Sequence, residues 1–429
     1  MALRSGWSRF GSEQNGRQGQ AGASQAANAP DMLGADQARK GGPMALRVMR
    51  LLALALALVS PTQAASPPPV GAAHGIVVTG QHIASDIGVD ILKSGGNAVD
   101  AAVGVGYALA VVYPAAGNIG GGGFMTLRLA DGRATFLDFR EKAPLAATKT
   151  MYLDRNGNIV PGLSTKSWLA VAVPGSVLGF ETALKQYGTL PRKVVMAPAI
   201  RLARDGFVLS PADIAILHQG TEAFRADPAA GRIFLRNGEP LEAGDRLVQH
   251  DLADTLQRIS DRGPDAFYKG GIANAIVAAS EAGHGILQRA DFERYKVREL
   301  KPVECSYRGF GVVSSPPPSS GGVVICEILN ILEGYPLGEF GFHSAAEVHA
   351  MIEAMRYAYL DRNNRLGDPD YVDNPVSQLT DKRYAVAIRA RIDPDRAAPS
   401  NGLSAAAPAS ERSQTTHYRS WIPRATLSQ

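Results

Sequence analysis

From about residue 75 the chain switches repeatedly between two hydrophobic periods. Ala84–Leu92 and Ala98–Val112 carry apolar residues at helical spacing, separated by the stop-and-start signal Gly95-Gly96-Asn97. The second run is rich in Ala, Gly and Val almost all round, which predicts a buried helix packed closely on a sheet. Phe124–Leu129 and Thr135–Phe139 alternate in period two about Asp131-Gly132, the signal of a β-hairpin. Asp154-Arg155-Asn156-Gly157 marks a second turn of that kind. Val173-Pro174-Gly175 leads into a helix predicted over Ser176–Gln186, and Ala197–Arg204 reads as a helix ending at Asp205-Gly206. After the rigid Pro316-Pro317-Pro318, Ser319 or Ser320 can cap a helix running through Ile325–Leu332. Residues 345–362 read as an amphipathic helix. No internal repeat appears, and strands mixed with helices in this way predict α/β or α+β layers.

The two ends of the chain read differently. Residues 1–43 are rich in Gly, Ala, Ser and Gln without a sustained period, which predicts a disordered extension. Residues 44–64 then carry Arg47 and Arg50, the apolar run 51–59, and small residues at Thr62-Gln63-Ala64. That is the pattern of a secretory signal, too short to span a bilayer comfortably. It predicts export to a periplasmic or extracellular location, with translation starting at Met44. Residues 397–414 are rich in Ala, Ser and Pro and read as an exposed linker, the kind of segment where chains are cut.

Charge sharpens the picture. Of the 44 Lys/Arg and 40 Asp/Glu in the chain, seven and three lie in residues 1–64, so residues 65–429 hold 37 of each. A neutral body lacks the concentrated basic face that phosphate binding needs, so nucleic acid is not an expected partner. The eight His show no zinc-ligand spacing, and no metal is expected. Cys305 and Cys326 make no disulfide framework and no CxxC site. Sequence does not decide whether they pair, and their separate predicted elements favour free thiols.

The candidate chemistry lies just past the linker, at Gln414-Thr415-Thr416-His417-Tyr418. A Thr hydroxyl is a weak nucleophile unless a base takes its proton, and a Thr at a chain terminus can use its own α-amine. Cleavage before Thr415 would create that amine. The run Gly120–Gly123 is neither a P-loop nor a dinucleotide fingerprint, since no Lys-Ser/Thr follows it and no strand precedes it. Its glycines are expected to permit close backbone packing or a turn before Phe124.

Several longer stretches resemble the γ-glutamyltransferase (glutathione hydrolase) family. They are GGNAVDAAVGVGYALAVVYPAAGNIGGGGFM (95–125), LDFREKAP (137–144), VPGSVLGFETALKQYG (173–188), APAIRLARDGF (197–207), GPDAFYKG (263–270), PPPSSGG (316–322) and AYLDRNNRLGDPDY (358–371). The resemblance is colinear from about residue 75 to 418. It implies the α+β fold class of the N-terminal-nucleophile hydrolases, an αββα sandwich, incomplete in this chain. It also implies a precursor that cuts itself at Gln414–Thr415 into a large subunit (65–414) and a small one beginning at Thr415, the nucleophile. Arg140 matches the arginine that holds the α-carboxylate of a γ-glutamyl substrate such as glutathione, a task suited to a guanidinium. Read without the resemblance, Arg140 is a surface partner of Glu141 or Asp138. No cofactor is implied.

The resemblance stops at Tyr418. There the family continues Ser-Val-Val-Asp into a long small subunit, whereas this chain reads RSWIPRATLSQ (419–429). Removing one base after Tyr418 allows Ser-Val-Val from the codons of Arg419, Ser420 and Trp421. It forces Asp across Trp421 and Ile422 and restores a strand, turn, strand pattern that 419–429 lack, so a single-base frameshift is expected to underlie that tail. On that expectation the small subunit, the partner from the same precursor, is absent here, and the literal chain is unstable and neither cleaves itself nor turns over substrate. A glutaryl or cephalosporin acylase of the same family, and a non-catalytic exported remnant, are the alternative functions.

Overall fold

The computed structural model describes residues 70–399 and 415–422. The predicted extension 1–43, the export signal 44–64, Gln414 with the rest of 400–414, and residues 423–429 lie outside the described residues. β1 (Ile76–Val78) leads into α1 (His82–Lys93) and α2 (Ala98–Val112), followed by the hairpin β2 (Phe124–Arg128) and β3 (Ala134–Asp138). After α3 (Ser176–Tyr187) and α4 (Arg192–Asp205), further helices lead to β4 (Arg298–Leu300), which joins the hairpin antiparallel to β3. β5 (Val303–Tyr307) and β6 (Phe310–Ser314) pair with each other. They are followed by α5 (Gly321–Leu332), α6 (Ala345–Arg365) and α7 (Lys382–Arg389). β7 (Arg419–Trp421) returns to β1, with Val77 opposite Ser420. Strands and helices are thus mixed, as α+β layers require, with the described strands grouped in sheets of two or three.

The centre of the body is α2, in which 13 of 15 residues are buried. It packs chiefly against α1, α4 and α3, with β7 across one side, rather than on a broad sheet as expected. A buried helix start must satisfy its free N–H groups. The Asn97 side chain accepts from the Val99 and Asp100 amides at 2.8 and 3.0 Å, and the Asp100 carboxylate accepts in turn from the Asn97 amide at 2.8 Å. The buried Asp100 carboxylate also accepts from the Thr189 amide (3.0 Å), the Thr189 hydroxyl (2.6 Å) and the Leu190 amide (3.1 Å). One carboxylate therefore ties the start of α2 to the loop after α3.

Three expectations need correction. α4 begins at Arg192, five residues before the predicted start, and runs through Pro198. Burial of Val195, Met196, Ala199, Ile200 and Ala203 outweighs the one backbone bond that proline forgoes. α6 is not amphipathic. It buries Ala350, Glu353, Ala354, Tyr357 and Ala358 and exposes Val348, Met351, Ile352, Met355 and Tyr359 at helical spacing, so both faces carry apolar residues. Residues 419–421, read as an out-of-frame tail without strand character, form β7.

Cys305 on β5 and Cys326 on α5 are joined in a disulfide, with Cα atoms 6.0 Å apart, against the free-thiol expectation. The two elements are distant in pattern, but α5 lies across β5 and brings the Cα atoms into bridging range. Beside Cys326 sits Glu327, buried, with neither carboxyl oxygen reached by a donor among the described residues. Burial, and the Asp361 carboxylate facing it, push its carboxyl up to about 9, with Arg365 acting weakly the other way. Tyr384 completes this cluster by donating to Asp361 at 2.6 Å.

Two outcomes follow. Asp100→Ala orphans the amides of Asn97, Thr189 and Leu190, and it should cost about 3–5 kcal/mol in denaturant unfolding. For Glu327 the native state keeps its proton while the unfolded chain loses it near the ordinary value of 4.5. The resulting stability is full below that value, declines as pH rises, and is gone above about pH 9. Glu327→Gln does not titrate, so its stability relative to the parent should rise by at least about 1 kcal/mol between about pH 5 and pH 8. Parallel unfolding curves across that range would contradict this.

Candidate functional site

Arg140 stands two residues beyond the end of β3. The hairpin pairing extends through Phe139, whose amide donates to Gly123 O at 3.0 Å and whose carbonyl accepts from the Gly123 amide at 3.2 Å. Phe139 turns into the core and Arg140 turns out. The glycine run lies against this backbone: a Cβ at Gly122 would strike Phe139 O, at 2.6 Å, and Arg140 C, at 2.7 Å. Gly121 O accepts from the Gly175 and Ser176 amides at 2.7 and 3.0 Å, docking the start of α3 on the same loop. The glycines thus serve close packing, as expected.

Asp138 decides what Arg140 is free to do. In the β3–β4 pair Asp138 lies opposite Arg298. Its Oδ2 accepts from Arg298 Nε at 3.0 Å and Nη2 at 2.8 Å, and its Oδ1 accepts from the Arg140 amide at 3.1 Å. Arg298 also donates to Asp370 at 2.8 Å across the wall of an open cleft of about 730 Å³ that includes Lys301, Pro316 and Tyr371. Burial by itself would lower the Arg298 guanidinium, but Asp138, together with Asp370 and Asp368, more than offsets this and holds it above its ordinary value. Asp138 is therefore occupied. Among the described residues the Arg140 side chain makes no ion pair, with Glu141 or with Asp138. Its peptide is held on the other side by the buried Tyr295, whose hydroxyl donates to Arg140 O at 2.8 Å.

Thr415 is exposed and opens the segment that becomes β7. That segment is anchored within five residues. The Tyr418 ring packs into the main core, and a Cβ at Gly106 of α2 would meet its hydroxyl at 2.9 Å and the Phe180 ring at 2.5 Å. Burial pushes the Tyr418 phenol up. Ser420 Oγ donates to Ala98 O at 2.6 Å. His417 Nε2 accepts from Arg419 Nε at 3.2 Å and makes no bond to Thr415, so among the described residues no side-chain base is engaged on the threonine hydroxyl. Gln414, the other side of the expected cleavage bond, lies outside the described residues.

Arg140 and Thr415 share no hydrogen bond. What links them is Phe180 on α3, which packs edge-on against Phe139 (5.7 Å) and against Tyr107 of α2 (5.0 Å), beside Gly106 and Tyr418. Both candidate residues thus lead off one aromatic cluster. Sequence reasoning missed Arg298 and Tyr295. Neither has a local signal, since each meets the site only through pairing or packing over more than 150 positions. Among the described residues no group of His, Cys, Asp or Glu could hold a metal ion, and no helix is long and apolar enough to cross a membrane.

A family model described as Gamma-glutamyltranspeptidase matches residues 84–421. The glutathione hydrolase proenzyme of Pseudomonas sp. (strain A14) is 61% identical over 367 residues, 85% of this chain and 64% of that protein. The glutathione hydrolase proenzyme of Escherichia coli (strain K12) is 48% identical over 352 residues, 82% of this chain and 61% of that protein. Among solved structures, Helicobacter pylori gamma-glutamyltranspeptidase aligns with a TM-score of 0.76 at 42% identity, covering 80% of this chain and 100% of that one. The chain spans less than two-thirds of the length of these two curated relatives.

The Asp138–Arg298 pair carries a prediction of its own. Arg298→Met keeps a strand-compatible stem but leaves the buried Asp138 without its counter-charge. It should destabilise the protein by roughly 2–4 kcal/mol in denaturant unfolding, toward the low side because Arg298 is partly exposed.

Proposed function

The chain belongs to the gamma-glutamyltranspeptidase family, and on that footing we propose that the protein is a self-processing N-terminal-threonine enzyme acting on γ-glutamyl amides such as glutathione. Cleavage of the Gln414–Thr415 bond frees the Thr415 amine. That amine takes the proton from Thr415 Oγ as the oxygen attacks the γ-glutamyl carbonyl. The tetrahedral intermediate collapses, the proton passes to the leaving amine, and a γ-glutamyl ester remains on Thr415. Water then releases glutamate, or the amine of an amino acid or peptide takes the group. Arg140 grips the α-carboxylate of the γ-glutamyl group in a bidentate pair and sets the carbonyl before the nucleophile.

The observation that carries this reading is the guanidinium of Arg140, which makes no ion pair among the described residues. An arginine two residues from an aspartate at a strand end would ordinarily be neutralised by it, but Arg298 has taken that aspartate. Among the described residues no side-chain base bonds Thr415, which is compatible with self-activation by the terminal amine. Export is part of the proposal: the pattern of residues 44–64 supports it, and so does the Cys305–Cys326 bridge, because disulfides persist in oxidising compartments. So is a second subunit from the same precursor, starting at Thr415. The apolar outer face of α6 supports a covering partner.

The test uses protein expressed from its own gene. Thr415→Ala should abolish both processing into two fragments on a denaturing gel and turnover of a γ-glutamyl anilide, the latter by at least about 1,000-fold. Arg140→Ala should leave processing intact and lower kcat/KM by about 100-fold, the worth of a charge-assisted bidentate contact. Full activity in Thr415→Ala would overturn the proposal.

A further inference from the structure

We propose that Tyr295 is a positioning residue for the carboxylate-binding arginine. Its hydroxyl fixes the Arg140 peptide, and so the origin of the Arg140 side chain. The inference rests on the reading of Arg140 given above and adds the group that makes it a fixed donor.

Arg140 has an exposed side chain on an irregular segment, an arrangement that on its own would leave a long flexible arm. Its backbone is not free. The amide donates to Asp138, which Arg298 immobilises, and the carbonyl accepts from Tyr295. These bonds hold the residue from opposite ends. The 140–141 peptide cannot rotate without breaking the second, and Gly122 closes the space it would turn into.

Tyr295 is itself held. It follows the short helix Arg289–Arg294, and its ring stacks on Tyr268 with centroids 5.8 Å apart and planes 11° from parallel. Tyr268 in turn donates to Pro174 O at 2.9 Å and accepts from the Leu178 amide at 3.3 Å, which pins the start of α3. Gly175 lies so close that a Cβ there would strike both Phe139 O and the Tyr295 hydroxyl. Arg140 and the start of α3 thus meet at one phenolic oxygen, and the glycine loop packs against both. Burial raises this phenol above its ordinary value, so it stays a donor throughout the neutral range. A buried tyrosine needs some partner for its hydroxyl. This one finds the single peptide from which the substrate-gripping side chain springs, and displacements of about 1 Å at such contacts carry large kinetic effects.

The experiment compares three anilides on protein expressed from its own gene: γ-glutamyl, glutaryl, which keeps the carboxylate but lacks the amine, and 4-aminobutyryl, which lacks the α-carboxylate. Tyr295→Phe should lower kcat/KM for the first two about 3- to 10-fold, mainly through KM, the worth of one hydrogen bond. The 4-aminobutyryl anilide should change by less than about 2-fold, since it never engages Arg140. Equal losses on all three would mean a merely structural tyrosine and overturn the inference. Arg140→Ala, run alongside, should show the same discrimination more strongly. If it does not, or if protein that carries the second subunit turns over no anilide, the functional reading itself fails, and the inference with it. Should Tyr295→Phe not fold by its melting curve, Gly122→Ala displaces the same peptide from the other side. It should show the same selective loss, and an equal loss on all three substrates would again overturn the proposal.

Discussion

A helix buried on every side is the constraint to which the rest of the protein answers. α2 exposes no polar face to water, so the cost of its first turn has to be met inside the protein. Asn97 and Asp100 meet it, and Asp100 does so while binding the loop after α3. Once α2 is fixed, its small residues decide what can lie against it. Gly104 admits Ile91 of α1 and Val195 of α4, and Gly106 admits Phe180 and Tyr418. The strand that follows Thr415 and the helix that carries Phe180 therefore reach the core at the same point. A larger side chain at Gly106 would push both candidate site segments outward together.

The electrostatics of the site follow from one pairing. β4 adds to the hairpin in the register that sets Arg298 opposite Asp138, and the buried carboxylate is satisfied there. Arg140 is left charged, exposed and without an anion among the described residues. A guanidinium in that state, on a backbone held at both its amide and its carbonyl, costs little to bring to an external carboxylate. Arg298 is committed to the buried carboxylate, while Arg140, two residues past the strand, makes no ion pair among the described residues, as its proposed role requires.

Much of this was legible in the chain. α2 matches its predicted span of Ala98–Val112, and the hairpin, α1 and α3 fall within a residue or two of theirs. Each is a long run of one period with a turn or cap at its ends. Thr415 and Arg140 are proposed through motif resemblance, which reads chemistry that periodicity does not. What was not legible is what depends on distant partners. Pro198 hid the first turn of α4, because local propensity says nothing of the burial that overrides it. The apolar residues of α6 suggested one buried face, and only packing reveals that three alanines with Glu353 and Tyr357 face inward. Cys305 and Cys326 sit in unrelated patterns joined by tertiary contact. Arg298 and Tyr295 have no signature at all, since their role lies in the register of one strand and the stacking of one ring.

The central claim is that Thr415 is a terminal nucleophile that carries the γ-glutamyl group. The most direct measurement is to mix protein expressed from its own gene with a donor labelled in its glutamyl portion, quench in acid during turnover, digest, and map the label by mass spectrometry. The account predicts the label on a peptide whose first residue is Thr415, held as an ester on that side chain. Label on any other residue, or a Thr415 peptide still joined to Gln414 in protein that turns over the donor, would contradict it.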